Sequence, residues 1–325
     1  MVCYSPVRAY WSKEKHPVTK NRFLVFSPSK ALTTDYMTVP CGKCEGCLLD
    51  RAFSWSVRCT CESLYHKENY FVTLTYSPEC LPEDGMLNRV HVQQFMKRLR
   101  RAFTGYKIRV FYCGEYGEKR RRPHYHLILF GLPLAKEGHR LYPINSSRKG
   151  NINYVTDIIS SKWSYGLATV GPFSSSAAAY VAQYTLKKNK ENFSYRSRGN
   201  SHTSKSSCSS FVSPFIGMSN RPAIGQQFFF EHYLDIFNRS GFNVEVGGSF
   251  KFIRPLRFFV TQLRKHYPLL YFKYCERPQR KNYYLRRVLL AKRDLNFALS
   301  VDKKRRNAII KEARTLRKLE ARADL

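Results

Sequence analysis

The run Pro123–Phe130, PHYHLILF, carries two histidines one residue apart. In a β-strand, side chains two positions apart share a face, so His124 and His126 project together while Tyr125 points away. Upstream, KIRVFYCGE reads as a second strand, and the charged stretch YGEKRRR between them reads as a turn. Antiparallel pairing about that turn sets Glu115 opposite, or nearly opposite, His124. Two neutral imidazoles and one carboxylate suit a divalent cation such as Mn²⁺ or Mg²⁺, with positions left over for phosphate oxygens. Zinc fits the same donors by ligand type. A second set lies in YVAQYTLK, where Tyr180, Tyr184 and Lys187 fall at i, i+4 and i+7, one continuous helical face. A phenol titrates near about 10 and needs a neighbouring cation to favour its phenolate, which Lys187 offers. A tyrosine nucleophile and a metal-polarised phosphate describe phosphoryl transfer. A phenolate ester would conserve the phosphodiester energy, so a strand so cut can be resealed without ATP. The plain alternative is a pair of strand histidines without metal and a tyrosine stripe packed in a core.

Five of the ten cysteines lie close together, in PCGKCEGCL and RCTCE. The C-x-x-C-x-x-C spacing of Cys41, Cys44 and Cys47 suits a sulfur-ligated structural zinc, with Gly42 and Gly46 permitting tight turns. Cys59 or Cys61 is the expected fourth ligand. The competing reading is reduced thiols packed as small hydrophobes.

The chain around these residues is strongly basic. Its 325 residues carry 56 Lys plus Arg against 23 Asp plus Glu, a net charge of +33. Such an excess points to a polyanionic partner, and 22 Tyr and 23 Phe interspersed with it favour nucleic acid over a lipid surface. No apolar run is long enough for a membrane span, and the first seventeen residues lack a secretory signal's apolar core. A secreted or membrane protein is not expected.

Several elements must position the candidate site. Tyr70–Tyr76 (YFVTLTY) reads as a strand. In HVQQFMKRLRRAF, Val92, Phe95, Met96, Leu99 and Phe103 form one helical stripe. Residues 154–168 are expected to be helical, and Ser174–Lys188 has a capped helix start at its serines. QQFFFEHYLDIF reads as a further helix, and the tail from Asp302 as a basic one. Residues 1–60 read as an irregular lead-in.

The order of these motifs resembles the HUH endonucleases, and within them the two-tyrosine replication initiators of small single-stranded DNA phages, the Microviridae. PCGKCEGCL, YFVTLTY and GEYGEKRRRPHYHLILFG look closest to the gokushovirus branch. The resemblance covers roughly residues 40–190 in motifs. It implies an α+β fold, an antiparallel sheet flanked by helices. It also implies His124, His126 and Glu115 as metal ligands, Tyr180 and Tyr184 as nucleophiles, and Lys187 as the lysine of the second Y-x-x-K. Gln183 departs from the family, which often has a lysine after the first tyrosine too; Tyr184 is thus the better-equipped nucleophile.

The resulting expectation divides the chain into a Cys-rich segment (1–62), a nuclease core (63–193), a Ser-rich flexible loop (194–213) and a basic accessory region (214–325). The expected function is rolling-circle initiation in the host bacterial cytoplasm: nicking one strand at a phage origin, forming a 5′-phosphotyrosyl link, leaving a 3′-OH primer and later closing the displaced strand. Expected cofactors are Mg²⁺ or Mn²⁺ at the catalytic site and structural zinc. Expected partners are single-stranded origin DNA and the host polymerase and helicase, since no G-x-x-x-x-G-K-[ST] motif occurs in the sequence. The rival is a non-enzymatic, zinc-stabilised DNA- or RNA-binding protein. It accounts for charge and cysteines but not for His-x-His, a cross-strand Glu and Y-x-x-x-Y-x-x-K together.

Overall fold

The computed structural model describes residues 3–17, 22–117, 120–146, 152–183, 212–246 and 248–276. The chain forms two compact units, Met1–Arg51 and Ala52–Leu325.

The first unit is not an irregular lead-in. Strands β1 (Val7–Lys15), β2 (Arg22–Val25) and β3 (Met37–Val39) form an antiparallel sheet in the order β2-β1-β3. Helix α1 (Glu45–Ser63) begins in this unit and carries the chain past its boundary. The unit's apolar cluster is small: Tyr10, Val25 and Ala31.

The second unit is built on a seven-stranded antiparallel sheet. Its strands are β4 (Asn69–Thr75), β5 (Arg109–Tyr116), β6 (Pro123–Phe130), β7 (Tyr142–Ser146), β8 (Ile152–Val155), β9 (Ala168–Pro172) and β10 (Phe215–Met218). The order is β10-β5-β6-β4-β9-β8-β7. Strand β6 is central, paired with β5 along its whole length and with β4 along nearly all of it, and its residues from Tyr125 to Phe130 are buried. A strand covered on both faces must be apolar almost throughout, which LILF supplies.

Alternation along β4, β5 and β6 sends side chains into two cores. On one face Val72, Leu74, Val110, Tyr112, Tyr125, Leu127 and Leu129 pack with helix α2 (Arg89–Ala102), whose Val92, Phe95, Met96 and Leu99 form the expected stripe. Each such side chain contributes about 1.5–3 kcal/mol on burial. Asn88 caps α2 by accepting from the Val90 amide at 2.9 Å. On the opposite face Phe111, Cys113, Ile128 and Phe130 meet Cys59 of α1 and Ala178 and Val181 of a further helix.

The segment 154–168 is not a helix. It finishes β8, makes one helical turn (α3, Asp157–Ser160), and runs through a tight loop into β9. Gly166 adopts φ +150°, and a Cβ there would lie 2.3 Å from the Ser77 amide nitrogen, so this loop admits only glycine without rearrangement. The further helix, α4, is described over residues 175–183. Ser174 caps it as expected, accepting from the Ala177 amide at 3.0 Å.

A satellite core joins α1 to α5 (Gln226–Asn238), the hairpin β11 (Phe242–Val246) and β12 (Ser249–Ile253), α6 (Arg257–His266) and α7 (Pro268–Glu276), with Phe228, Phe229, Phe237 and Phe259 at its centre. The Ser-rich stretch up to residue 211 and the basic tail from Asp302 lie outside the described residues. Among the described residues no helix is long and apolar enough to cross a membrane.

Candidate functional site

The β5–β6 register places Glu115 directly opposite His124, with His126 two residues further along the same face. Glu115 Oε1 lies 2.8 Å from His124 Nε2 and 3.0 Å from His126 Nε2, so both imidazoles converge on one carboxylate oxygen. One ligand atom from each of the three lies within 4.8 Å of the others. The carboxylate is 3% exposed, and His126 is buried while His124 is half-buried, so the group opens on the His124 side. Burial by itself would push the Glu115 carboxyl up. Hydrogen bonds from His124 and His126, and the positive charge those rings can carry, outweigh it and hold the group below the usual carboxylate range.

Neighbours fix the imidazole orientations. His124 Nδ1 faces the Arg122 carbonyl oxygen at 3.2 Å, and a carbonyl only accepts, so the proton sits on Nδ1. That tautomer leaves Nε2 as the donor atom when a cation is bound. His126 Nδ1 meets Thr73 Oγ1 at 3.0 Å, because Thr73 on β4 stands directly opposite His126. Thr73 thus holds the ring of His126 from the strand on the far side. Phe71, two residues earlier on β4, stacks on the His126 ring with centroids 5.5 Å apart. The donor set fits a divalent cation: two imidazole nitrogens and a carboxylate, held by second contacts, on the rigid middle of the sheet.

Tyr180 reaches the same place from α4. Ala178 and Val181 bury one side of that helix against the sheet. Tyr180, 42% exposed, presents its ring edge to His126 at 5.2 Å and to Phe71 at 6.2 Å. Tyr184 and Lys187 lie outside the described residues.

The cysteines divide differently from the sequence expectation. Cys41, Cys44 and Cys47 do come together, but their fourth companion is Cys3, with the four sulfurs within 4.8 Å of one another. Cys59 and Cys61 are fully buried in two different apolar clusters. Two residues apart on a helix, they point about 200° apart around its axis and so cannot turn to one ion. Sequence reading also missed Thr73 and Phe71. Their signal was available: both lie on the β4 face that period-2 alternation assigns to the histidine side.

A cluster of ligands at the centre of an antiparallel sheet, with a tyrosine laid against it from a covering helix, defines a candidate metal-assisted phosphoryl-transfer site. Residues 69–189, which contain all of it, match the family of the replication-associated protein ORF2. The chain is 39% identical over 166 residues to replication-associated protein ORF2 of Spiroplasma virus 4, covering 46% of this chain and 48% of that protein. It is 34% identical over 154 residues to replication-associated protein ORF4 of Chlamydia phage 1, covering 46% of this chain and 38% of that one. Replication-associated protein VP4 of Bdellovibrio phage phiMH2K aligns over 84% of this chain and 81% of its own length, at 26% identity. The first two matches thus span half or less of the relatives' length. The chain is a relative of phage replication-associated proteins. No solved structure matches it.

Proposed function

We propose that the chain is a rolling-circle replication initiator of the HUH type, with an α+β nuclease core that nicks one strand at a phage origin. The observation that carries this reading is the convergence of Glu115, His124 and His126 on one point of the sheet, beside Tyr180 and inside the region matched to phage replication-associated proteins.

His124 Nε2, His126 Nε2 and a Glu115 oxygen would hold Mg²⁺ or Mn²⁺, and a cation there supplies charge to polarise the scissile phosphate. The chain's own residues do the rest. A tyrosine phenolate oxygen attacks phosphorus, the P–O3′ bond breaks, and the leaving oxygen takes a proton to become the 3′-OH. The product is a 5′-phosphotyrosyl link. Lys187 would lower the pKa of Tyr184 and offset the negative charge developing on phosphate. Thr73 and the Arg122 carbonyl keep both imidazoles aimed, so little reorganisation is needed at the moment of reaction. After one circuit the second tyrosine cuts the regenerated origin, and the released 3′-OH attacks the first link to close the circle. The +33 charge suits the single-stranded DNA substrate. Host helicase and polymerase would act with it in the host bacterial cytoplasm.

The test is cleavage of single-stranded origin DNA with Mn²⁺, Mg²⁺ and chelator, with DNA binding followed in parallel. Wild type should cleave and form a covalent adduct only with metal; His124→Ala and His126→Ala should bind DNA but not cut. If the Tyr180→Phe/Tyr184→Phe double variant still forms the adduct, the nucleophile assignment fails. Metal-independent binding with no cleavage on any origin strand would instead favour the basic binding-protein reading.

A further inference from the structure

We propose that Cys3, Cys41, Cys44 and Cys47 bind one zinc ion as a tetrathiolate structural site that holds the N-terminal unit together. The four thiols are unbridged, and none belongs to the histidine site.

The sulfur spacing is the first argument. Cys3 Sγ lies 3.6 Å from Cys41 Sγ and 3.7 Å from Cys44 Sγ. A tetrahedron with Zn–S bonds of about 2.3 Å has sulfur–sulfur edges of about 3.8 Å. The observed separations are far longer than a disulfide at about 2.05 Å, yet they match one ion at the centre. A multinuclear iron–sulfur cluster would hold its cysteine sulfurs much further apart.

The second argument is the set of amides aimed at the sulfurs. The Cys41 amide donates to Cys3 Sγ at 3.3 Å, and the Cys44 amide to Cys41 Sγ at 3.3 Å. The Lys43 amide approaches the same Cys41 sulfur at 3.5 Å, and the Tyr4 amide donates to Cys44 Sγ at 3.3 Å. Four thiolates around Zn²⁺ leave a net charge of −2, and such donors disperse it. Gly42, at φ +73°, makes the turn that lets amides of the C-x-x-C loop face inward.

The third argument is what the unit lacks. Its buried apolar side chains are few, chiefly Ala9, Tyr10, Val25, Ala31 and Leu48, while Trp11, Phe23 and Phe26 are exposed. A unit of about fifty residues with so small a core needs a further source of stability, and a metal is a common one. The position suits that task. Cys3 precedes β1, Cys41 follows β3 and Cys47 lies in the first turn of α1, so one ion pins both ends of the sheet to the helix start.

The experiment uses the full chain purified under reducing conditions. Elemental analysis should find about one zinc per chain that survives dialysis. It should persist in the His124→Ala/His126→Ala variant and in Cys59→Ser, and be lost in Cys3→Ser. Because Cys3→Ser can fail to fold, wild type is also alkylated with iodoacetamide before and after a strong chelator. Mass spectrometry should show Cys3, Cys41, Cys44 and Cys47 protected together and then labelled together, with the exposed Cys80 labelled in both samples. Folded protein without zinc, iron in its place, retention in folded Cys3→Ser, or equal labelling of all five thiols in the metal-loaded sample would overturn the proposal.

Discussion

Replacing Thr73 by Val tests whether the threonine aims His126 rather than merely packing beside it. Val conserves shape and favours a strand, so the β4–β6 register should survive. What is lost is the 3.0 Å contact between Thr73 Oγ1 and His126 Nδ1. His126 is only 7% exposed, so bulk water has little access to replace that contact. Losing the hydrogen bond that orients a ligating imidazole weakens metal binding by about 10–100-fold, or about 1.4–2.8 kcal/mol. The Mn²⁺ dissociation constant should rise by that factor, and cleavage should recover when Mn²⁺ is raised in proportion. Thr75→Val is the control. Thr75 faces His124 across the strands, but its hydroxyl donates to the Leu167 carbonyl at 3.1 Å, so its loss should leave Mn²⁺ affinity within about twofold. Wild-type Mn²⁺ affinity in folded Thr73→Val, or an equal loss in both variants, would refute the reasoning.

Tyr184→Phe should lose most first-round cleavage, whereas Tyr180→Phe should still form the adduct but fail to release closed circles; peptide mapping of the wild-type adduct checks the order. Glu62 is buried beside Arg109, accepts from the Gly225 amide at 2.7 Å and lies 3.3 Å from His66. Burial pushes its carboxyl up, but the hydrogen bonds from His66 and Gly225 and the Arg109 charge outweigh it and hold it below the usual range. Its contribution to stability is therefore complete above about pH 4.3 and lost as pH falls through the lowered folded value. Glu62→Gln should cost about 3–5 kcal/mol at pH 7, read by urea denaturation, and the deficit should shrink on acidification. Affinity for single-stranded DNA should fall with salt at a log–log slope of about 0.7 per phosphate neutralised, and removing residues 302–325 should lower that slope without abolishing cleavage.

The histidine site was legible because two-residue alternation and a single charged turn determine both face and register. Glu115, His124 and His126 follow from those rules without tertiary information, as does the α2 stripe. Thr73 required knowing that β4 is β6's other neighbour, which order along the chain does not state. The error at 154–168 has a local cause: Val155, Thr156, Ile158 and Ile159 are β-branched, and Gly166 sits in a conformation that ends any helix. Cys3 was hidden by its distance of 38 residues from Cys41. Antiparallel pairing of Val7 with Val39 brings the residues before β1 alongside those after β3, and only that register reveals the fourth thiol.

The double pairing of β6 also has a practical consequence for the turn before it. In an isolated hairpin the turn sets the register, and a changed loop length can slip the strand and reverse every side chain. Here β4 holds β6 independently, from Thr75 opposite His124 to Asn69 opposite Phe130. Residues inserted between Gly117 and Arg121 would add only loop-closure entropy, about 0.6 kcal/mol for each doubling of length. That makes the turn a port of entry: a reporter peptide or an extra DNA-recognition segment grafted there would sit a few residues from His124 while the ligand geometry stays fixed by the sheet.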